Sequence, residues 1–423
     1  MKQKTIVILF LFFTGSVFSQ GIEFRHGSWE EMLSLARKEN KMVFTDFYTS
    51  WCGPCKMMAK EIFVRQEVGN FFNRNFICYK LDAEKEDGKP VARRYQIGSY
   101  PTFLFVDGEG NRFYCFSGYM EEEQFLAEAK NALQEFRTDK KTMEKWDAEY
   151  LRKKDNAAFV WKYMEKRGKL KLDNADVLDQ YFRIAKKKTL MNRDFLKDLC
   201  SYQAQINAGG ECFGFMREHL PEILKLTEME KGDVFFAWQM SVMDYSMQKA
   251  IRLKDKTILE DVLQLNPYFC EYSGMDPEEK GLELICDYNY GIRDEQEFEE
   301  SARELAGYYR TNGRKELDSL TQRQDYAGKL RDVAQKAAYL SKNQDFLLES
   351  LSWAVEAVTL WDHFSTEEVI ADVFYALGRK NDALDWMEKA RTKAIRDMKS
   401  EDGFAKIMKN KIQKMEKGMP LGF

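Results

Sequence analysis

The run FTDFYTSWCGPCK, Phe44 to Lys56, constrains the fold more than any other stretch of the chain. A β-favouring segment, Met42 to Tyr48, runs into Cys52-Gly53-Pro54-Cys55 and then into residues with helical spacing. A strand must therefore hand over to a helix within a few residues, with two thiols at the junction. Dithiol–disulfide exchange needs one thiol exposed and largely deprotonated, and a second within reach to resolve the mixed disulfide. Two intervening residues on a first helical turn meet both demands. Cys52 falls at the helix N-terminus, where free N–H groups and the dipole stabilise a thiolate. Cys55, one turn inside, is expected to be shielded. Gly53 permits a tight start, and Pro54 suits the first turn because its missing N–H costs nothing there. The alternative for such a pair is half of a zinc site, which needs two further Cys or His ligands, usually also paired. Cys78, Cys115, Cys200, Cys212, Cys270 and Cys286 supply no second close pair, and His26, His219 and His363 stand apart. Redox chemistry is the expectation, with the Cys52–Cys55 disulfide as the redox group and neither cofactor nor metal beside it.

From Gly21 to about Arg137 strand-like and helix-like signals alternate. Ile22 to Phe24 is a short apolar alternation, and Ser28 with Glu31 has capping-box spacing at the head of a helix, Trp29 to Glu39. Phe76 to Leu81 reads as a strand and Pro90 to Tyr95 as a short helix. After Pro101, TFLFV ends in the turn Asp107 to Gly110, with Arg112 to Ser117 expected to pair back as a hairpin. Glu121 to Phe136 closes the segment as an amphipathic helix. This order predicts an α/β layer structure, a central mixed sheet flanked by helices. Cys78 and Cys115 fall on strand-like segments, where a small buried thiol is the default and a regulatory thiol the alternative.

Residues 138–423 differ in kind. No proline occurs between Pro101 and Pro221 or between Pro277 and Pro420, and Ala, Leu, Glu, Lys and Met recur at helical spacing. This region is expected to be all-helical. Trp353 and Ala357 recur 33 residues later as Trp386 and Ala390, within a stretch, Tyr375 to Ala390, that resembles the tetratricopeptide pattern. Either such a solenoid, centred on residues 340–395, or an irregular array of helical hairpins fits. The spacings Cys200/Cys212 and Cys270/Cys286 permit disulfides, and a loop of about 15 residues closed that way adds roughly 3 kcal/mol.

Phe44-Thr45-Asp46-Phe47 through Trp51-Cys52-Gly53-Pro54-Cys55-Lys56 resembles the active-site strand and helix of the thioredoxin family. The resemblance covers residues 20–137. It implies that Asp46, six residues before Cys52, is the buried aspartate that manages the proton of Cys55, although a hydrogen-bonded core carboxylate fits the same position. It implies that Lys80 lies near Asp46, that the Tyr100–Pro101 bond is cis and faces the cysteines, and that Gly118 borders the substrate groove. Trp51, Gly53, Pro54, Tyr100, Pro101 and Gly118 are the implied substrate-binding residues, and Cys52, Cys55, Asp46 and Lys80 the implied catalytic ones. Tyr100 stands where a smaller aliphatic residue is common, which bears on substrate choice.

The first residues carry a positive start, Lys2 and Lys4, then an apolar run, Thr5 to Phe18, too short to span a bilayer at roughly 20 residues. Val17 and Ser19 sit where small residues precede a signal-peptidase cut, so 1–19 is read as a cleaved leader and the mature protein as exported, periplasmic or secreted, without stable membrane insertion. A net charge of −4 with both signs interspersed gives no nucleic-acid surface. The expected activity is reduction of protein disulfides, recharged by a membrane-borne electron donor. A disulfide isomerase, an oxidase, or a client-binding protein whose helical half carries the main function are the alternatives.

Overall fold

The computed structural model describes residues 21–85, 87–138, 143–313 and 317–421. The expected leader and its cut after Ser19 lie outside the described residues. Among these residues no helix is long and apolar enough to cross a membrane. The chain divides between Lys186 and Lys187 into two compact units.

The first unit is built on a four-stranded sheet, β1 (Met42–Tyr48), β2 (Phe76–Asp82), β3 (Thr102–Val106) and β4 (Arg112–Ser117), in the order β2-β1-β3-β4. β2 runs parallel to β1, while β3 and β4 are antiparallel neighbours. Side chains alternate across the central strand. Val43 and Phe47 enter one core with Trp29, Met32 and Leu33 of α1 (Trp29–Glu39) and Val91 of α4 (Gly88–Arg94). Met42 and Phe44 enter the other. There Met58 follows α2 (Gly53–Met57), Phe72 lies on α3 (Gln66–Asn75) and Phe125 on α5 (Glu122–Thr138). Rings dominate this second core: Phe72 stacks on Phe125 at 4.8 Å and meets Phe44 edge-on at 4.7 Å. The sheet is thus a mixed layer covered by helices on both faces.

Local chemistry sets the helix ends. Ser28 caps α1 through its side chain and Glu31 returns the bond, a capping box, while Asn40 ends the helix in the left-handed region. The anticipated strand at Ile22 to Phe24 is reduced to a single bridge, Arg25 to Tyr79. Helix α3 has no counterpart in the sequence reading.

The compact unit also runs past the boundary expected after residue 137. Helices α6 (Met143–Lys153), α7 (Ala157–Lys169) and α8 (Ala175–Ile184) belong to it. Arg112 of β4 donates to the Leu170 carbonyl at 2.8 Å, and Lys166 of α7 pairs with Glu135 of α5 at 2.7 Å.

The second unit, from Lys187, holds only helices among its described residues. Successive helices Leu320–Leu340, Gln344–Leu360, Phe364–Ala376, Lys380–Met398 and Phe404–Glu416 are joined by short turns. Ala354, Ala357, Ala383 and Ala390 are fully buried, small enough for neighbouring helices to approach closely. Trp353 is buried but Trp386 only half-buried, so the two members of the 33-residue recurrence occupy different surroundings. Cys200, Cys212, Cys270 and Cys286 are buried, and the disulfides their spacing permitted are not formed. Burial pushes the Cys200 thiol up to about 11 and Cys286 up to about 12.

Candidate active site

β1 ends at Tyr48, and four residues separate it from α2. Cys52 is the N-cap of α2, extended at φ −67° and ψ 109°, and the Cys55 N–H donates to its Sγ at 3.1 Å. The two cysteines are joined as a disulfide. Gly53 opens the helix and Pro54 follows in its first turn. Cys52 was expected to be exposed and Cys55 shielded. In this oxidised form both are covered, at 3% and 4% exposure, because the disulfide turns the Cys52 sulfur toward Cys55 and its amide.

The surroundings of the pair come from three loops. Trp51 stands 65% exposed, its indole N–H donating to Glu84 at 2.9 Å and its ring meeting Tyr100 edge-on at 6.1 Å. The Tyr100–Pro101 bond is cis. The Pro101 carbonyl accepts from the Gly118 N–H at 2.9 Å, and Gly118 sits at φ +97°, a conformation that disfavours a side chain. Two residues on, the Met120 N–H donates to the sulfur of Met58, one turn beyond Cys55. The strand after cis-Pro101 and the turn after β4 are therefore tied to each other, and the latter to the cysteine helix. Glu84 and Met58 carry no local sequence signal for these contacts.

Asp46 lies on β1, the strand that leads into the pair, and is 1% exposed. Its register partner on β2 is Lys80, whose Nζ lies 3.3 Å from Asp46 Oδ2. Both Asp46 oxygens are buried without a hydrogen bond, and Lys80 meets Oδ2 as an ion pair. Burial raises the Asp46 carboxyl and Lys80 pulls it back, leaving it near about 6 rather than in the usual carboxylate range. Such a group exchanges a proton close to neutral pH, which an ordinary core carboxylate does not. By contrast the thiols of Cys78 and Cys115 are pushed well up by burial, Cys115 to about 11, and are poor nucleophiles.

The thioredoxin-like domain family matches residues 29–133. Chloroplastic thioredoxin Y of Oryza sativa is 34% identical over 107 residues, 25% of this chain and 58% of that protein. The chain thus spans little more than half the length of some curated relatives. Thioredoxin-1 of Drosophila yakuba is 31% identical over 85 residues, 20% of this chain and 74% of that protein. Among solved structures, that of a proposed disulphide-isomerase from Bacteroides thetaiotaomicron is 37% identical, covering 27% of this chain and 94% of that one with a TM-score of 0.26. With its Cys52–Cys55 disulfide at the head of a helix, the family match over residues 29–133 and the likeness to Drosophila yakuba thioredoxin-1 over 74% of that protein, the chain belongs to the thioredoxin family.

Proposed function

We propose that this protein is an exported thiol–disulfide oxidoreductase that reduces protein disulfides. The observation that carries the reading is the capping of α2 by Cys52, bonded to Cys55, after a strand that carries a buried carboxyl raised to about 6. In the reduced protein the Cys52 thiolate attacks one sulfur of a substrate disulfide and expels the other as a thiolate. Asp46 takes the proton of Cys55, which then attacks the Cys52 sulfur. The Cys52–Cys55 disulfide forms and the second substrate thiolate leaves. Two electrons pass to the substrate, so each cycle needs a two-electron donor, for an exported protein a membrane-borne one. Trp51, Tyr100 and Gly118 frame the substrate chain, with the Tyr100 backbone available to a substrate strand by edge addition.

Equilibration of the full chain against a glutathione series tests the direction. A potential near about −270 mV supports a reductase, while one near about −120 to −180 mV overturns it in favour of an oxidase or isomerase. The likeness to a proposed disulphide-isomerase makes isomerisation, with Cys52 kept reduced, the second reading. We assign the helical unit 187–423, the greater part of the helical region 138–423, to holding partners for Cys52. A Cys55→Ala trap that captures the same partners with and without that unit would sink this assignment.

A further inference from the structure

We infer that Phe24, on the segment leading into the domain, is a positioning residue that closes an aromatic frame around the Lys80 ammonium and so fixes it against Asp46. The inference rests on the reading of Asp46 as the base for Cys55. Lys80 Nζ lies 4.8 Å from the ring centre of Tyr48, 5.4 Å from Phe63 and 5.6 Å from Phe24, and 3.3 Å from Asp46 Oδ2. The lysine side chain is 29% exposed while Asp46 is 1% exposed. Lys80 therefore stands between the carboxylate and solvent.

A lysine on a flexible four-carbon stem, already in contact with water, has an alternative position out in solvent. Three ring faces, each attracting a cation through its quadrupole, hold it in. Two of these rings arrive with the elements that build the site: Tyr48 ends β1, and Phe63 follows the π-helical turn Met58–Ile62 that continues α2. The third does not. Phe24 lies on residues 21–27, outside every named element, and is fastened by its neighbours. The Ile22 N–H donates to the Phe63 carbonyl at 2.7 Å, and the Arg25 N–H to the Cys78 carbonyl at 2.8 Å. The Asn73 side chain accepts from the Glu23 N–H at 2.9 Å and donates to the Gly21 carbonyl at 3.1 Å. The Phe24 ring itself rests 5.4 Å from Phe63 and 6.3 Å from Phe44. These contacts lay the segment beside β2, the edge strand of the sheet, and leave the ring over the ammonium.

Lys80 is the charged group that acts on Asp46, while Glu23, Arg25 and His26 of the segment are exposed. The position of one ammonium thus sets the proton affinity of the carboxylate, and through it the pH at which Cys55 resolves a mixed disulfide. If the ammonium moves outward, Asp46 loses the attraction that opposes its burial, and its titration moves upward.

Single-turnover reduction of a small chromogenic aromatic disulfide by the reduced full chain reads this directly, because release of the second thiolate is the resolution step. Rates are compared across pH for the parent, Phe24→Leu, Phe24→Tyr, Lys80→Met and the double variant Phe24→Leu/Lys80→Met. Phe24→Leu keeps an apolar filler and removes the ring, and its midpoint is expected to rise by about half a pH unit. Phe24→Tyr restores the parent midpoint, which a merely packing role would not require. Lys80→Met raises the midpoint further, and in that background Phe24→Leu adds nothing. If Phe24→Leu shifts the Lys80→Met protein as much as the parent, or leaves the parent unmoved while Lys80→Met shifts it, the framing role is overturned and the base reading stands. If no variant moves the midpoint, both fall.

Discussion

Both compact units bury carboxylates, and they treat them in opposite ways. In the helical unit Asp372 accepts from Lys411 at 2.7 Å, Tyr339 at 2.9 Å and Gln335 at 3.1 Å. On the same helix Glu367 accepts from Lys393 at 2.8 Å and pairs with Lys389 at 3.0 Å. These charges are surrounded by donors from several helices and act as clips between them. Asp46, equally buried, has one partner, a partly exposed lysine at 3.3 Å, and no hydrogen bond on either oxygen, where Asp372 and Glu367 each gather two or more donors on one oxygen and leave the other bare. A carboxylate ringed by several donors from neighbouring helices holds structure together. A starved one keeps a raised proton affinity, which costs stability and leaves a proton to be moved. The contrast separates a structural use of buried charge from a chemical one within a single chain.

The largest effect expected is on turnover. Cys52→Ser removes the attacking sulfur, so disulfide reduction by the full chain falls to the uncatalysed rate while the far-ultraviolet spectrum is kept. Next comes Asp372→Ala in the helical unit. It leaves the Lys411 ammonium facing Glu368 at 2.6 Å and Tyr339, with the more deeply buried of its two counter-charges gone. Breaking a buried pair by removing one partner costs about 3–5 kcal/mol. Denaturant unfolding should show that loss, with the Cys52–Cys55 potential unchanged. A moved potential would show that the two uses of buried charge are coupled.

Asp46→Asn is expected to do the reverse. The carboxyl titrates at about 6 in the folded protein against 3.8 for an unperturbed aspartate. Between those values the folded state holds more protons than the unfolded state, so stability falls as pH rises through this window. By pH 7 the loss amounts to about 3 kcal/mol. Asp46→Asn should therefore stabilise the protein by an amount of that order at neutral pH and by little near pH 4. It should also slow resolution of the mixed disulfide by roughly 10²-fold at neutral pH, the usual contribution of a positioned base. A variant that is faster or unchanged in resolution would reduce Asp46 to a strained core group.

Much of the sheet unit was legible because its signals are local. The capping box at Ser28 and Glu31, the β-branched and aromatic run of β1 and the turn at Asp107 to Gly110 each need only a few neighbouring residues and are where the sequence puts them, while the cis Tyr100–Pro101 bond came from the family resemblance. Helix α3 was missed because Arg65 at its head makes no side-chain cap and its three buried positions, Val68, Gly69 and Phe72, give a sparse apolar stripe. The lysine frame was not legible at all. Phe24, Tyr48, Phe63 and Lys80 are spread over 57 positions and meet only through the parallel register of β1 with β2. The same holds for the unit boundary, since Lys166 finds Glu135 only once α7 has packed on α5. In the helical region periodicity announced helices but not their partners, and even Pro267 lies inside one, Lys256–Ser273, rather than ending it.

The smallest effect sharpens the comparison at the surface. Both units expose a large aromatic: Trp51 at 65% beside the cysteines and Phe236 at 70% on the helix Lys231–Trp238. Neither contributes much burial, so truncating either should change stability by less than about 0.5 kcal/mol. They differ in company. Trp51 is braced by Glu84 and by the edge of Tyr100, which fixes its ring at low entropic cost beside the reacting sulfur. A rigid, exposed aromatic of this kind is what a binding surface rewards. Trp51→Ala is accordingly expected to raise KM for a folded protein disulfide by about 3- to 10-fold, about 0.7–1.4 kcal/mol, with kcat little changed and a small chromogenic disulfide reduced as before. Phe236→Ala should leave both substrates untouched. An equal rise in KM from Phe236→Ala would extend substrate recognition into the helical unit, and no rise from Trp51→Ala would leave the Tyr100 backbone to carry recognition alone.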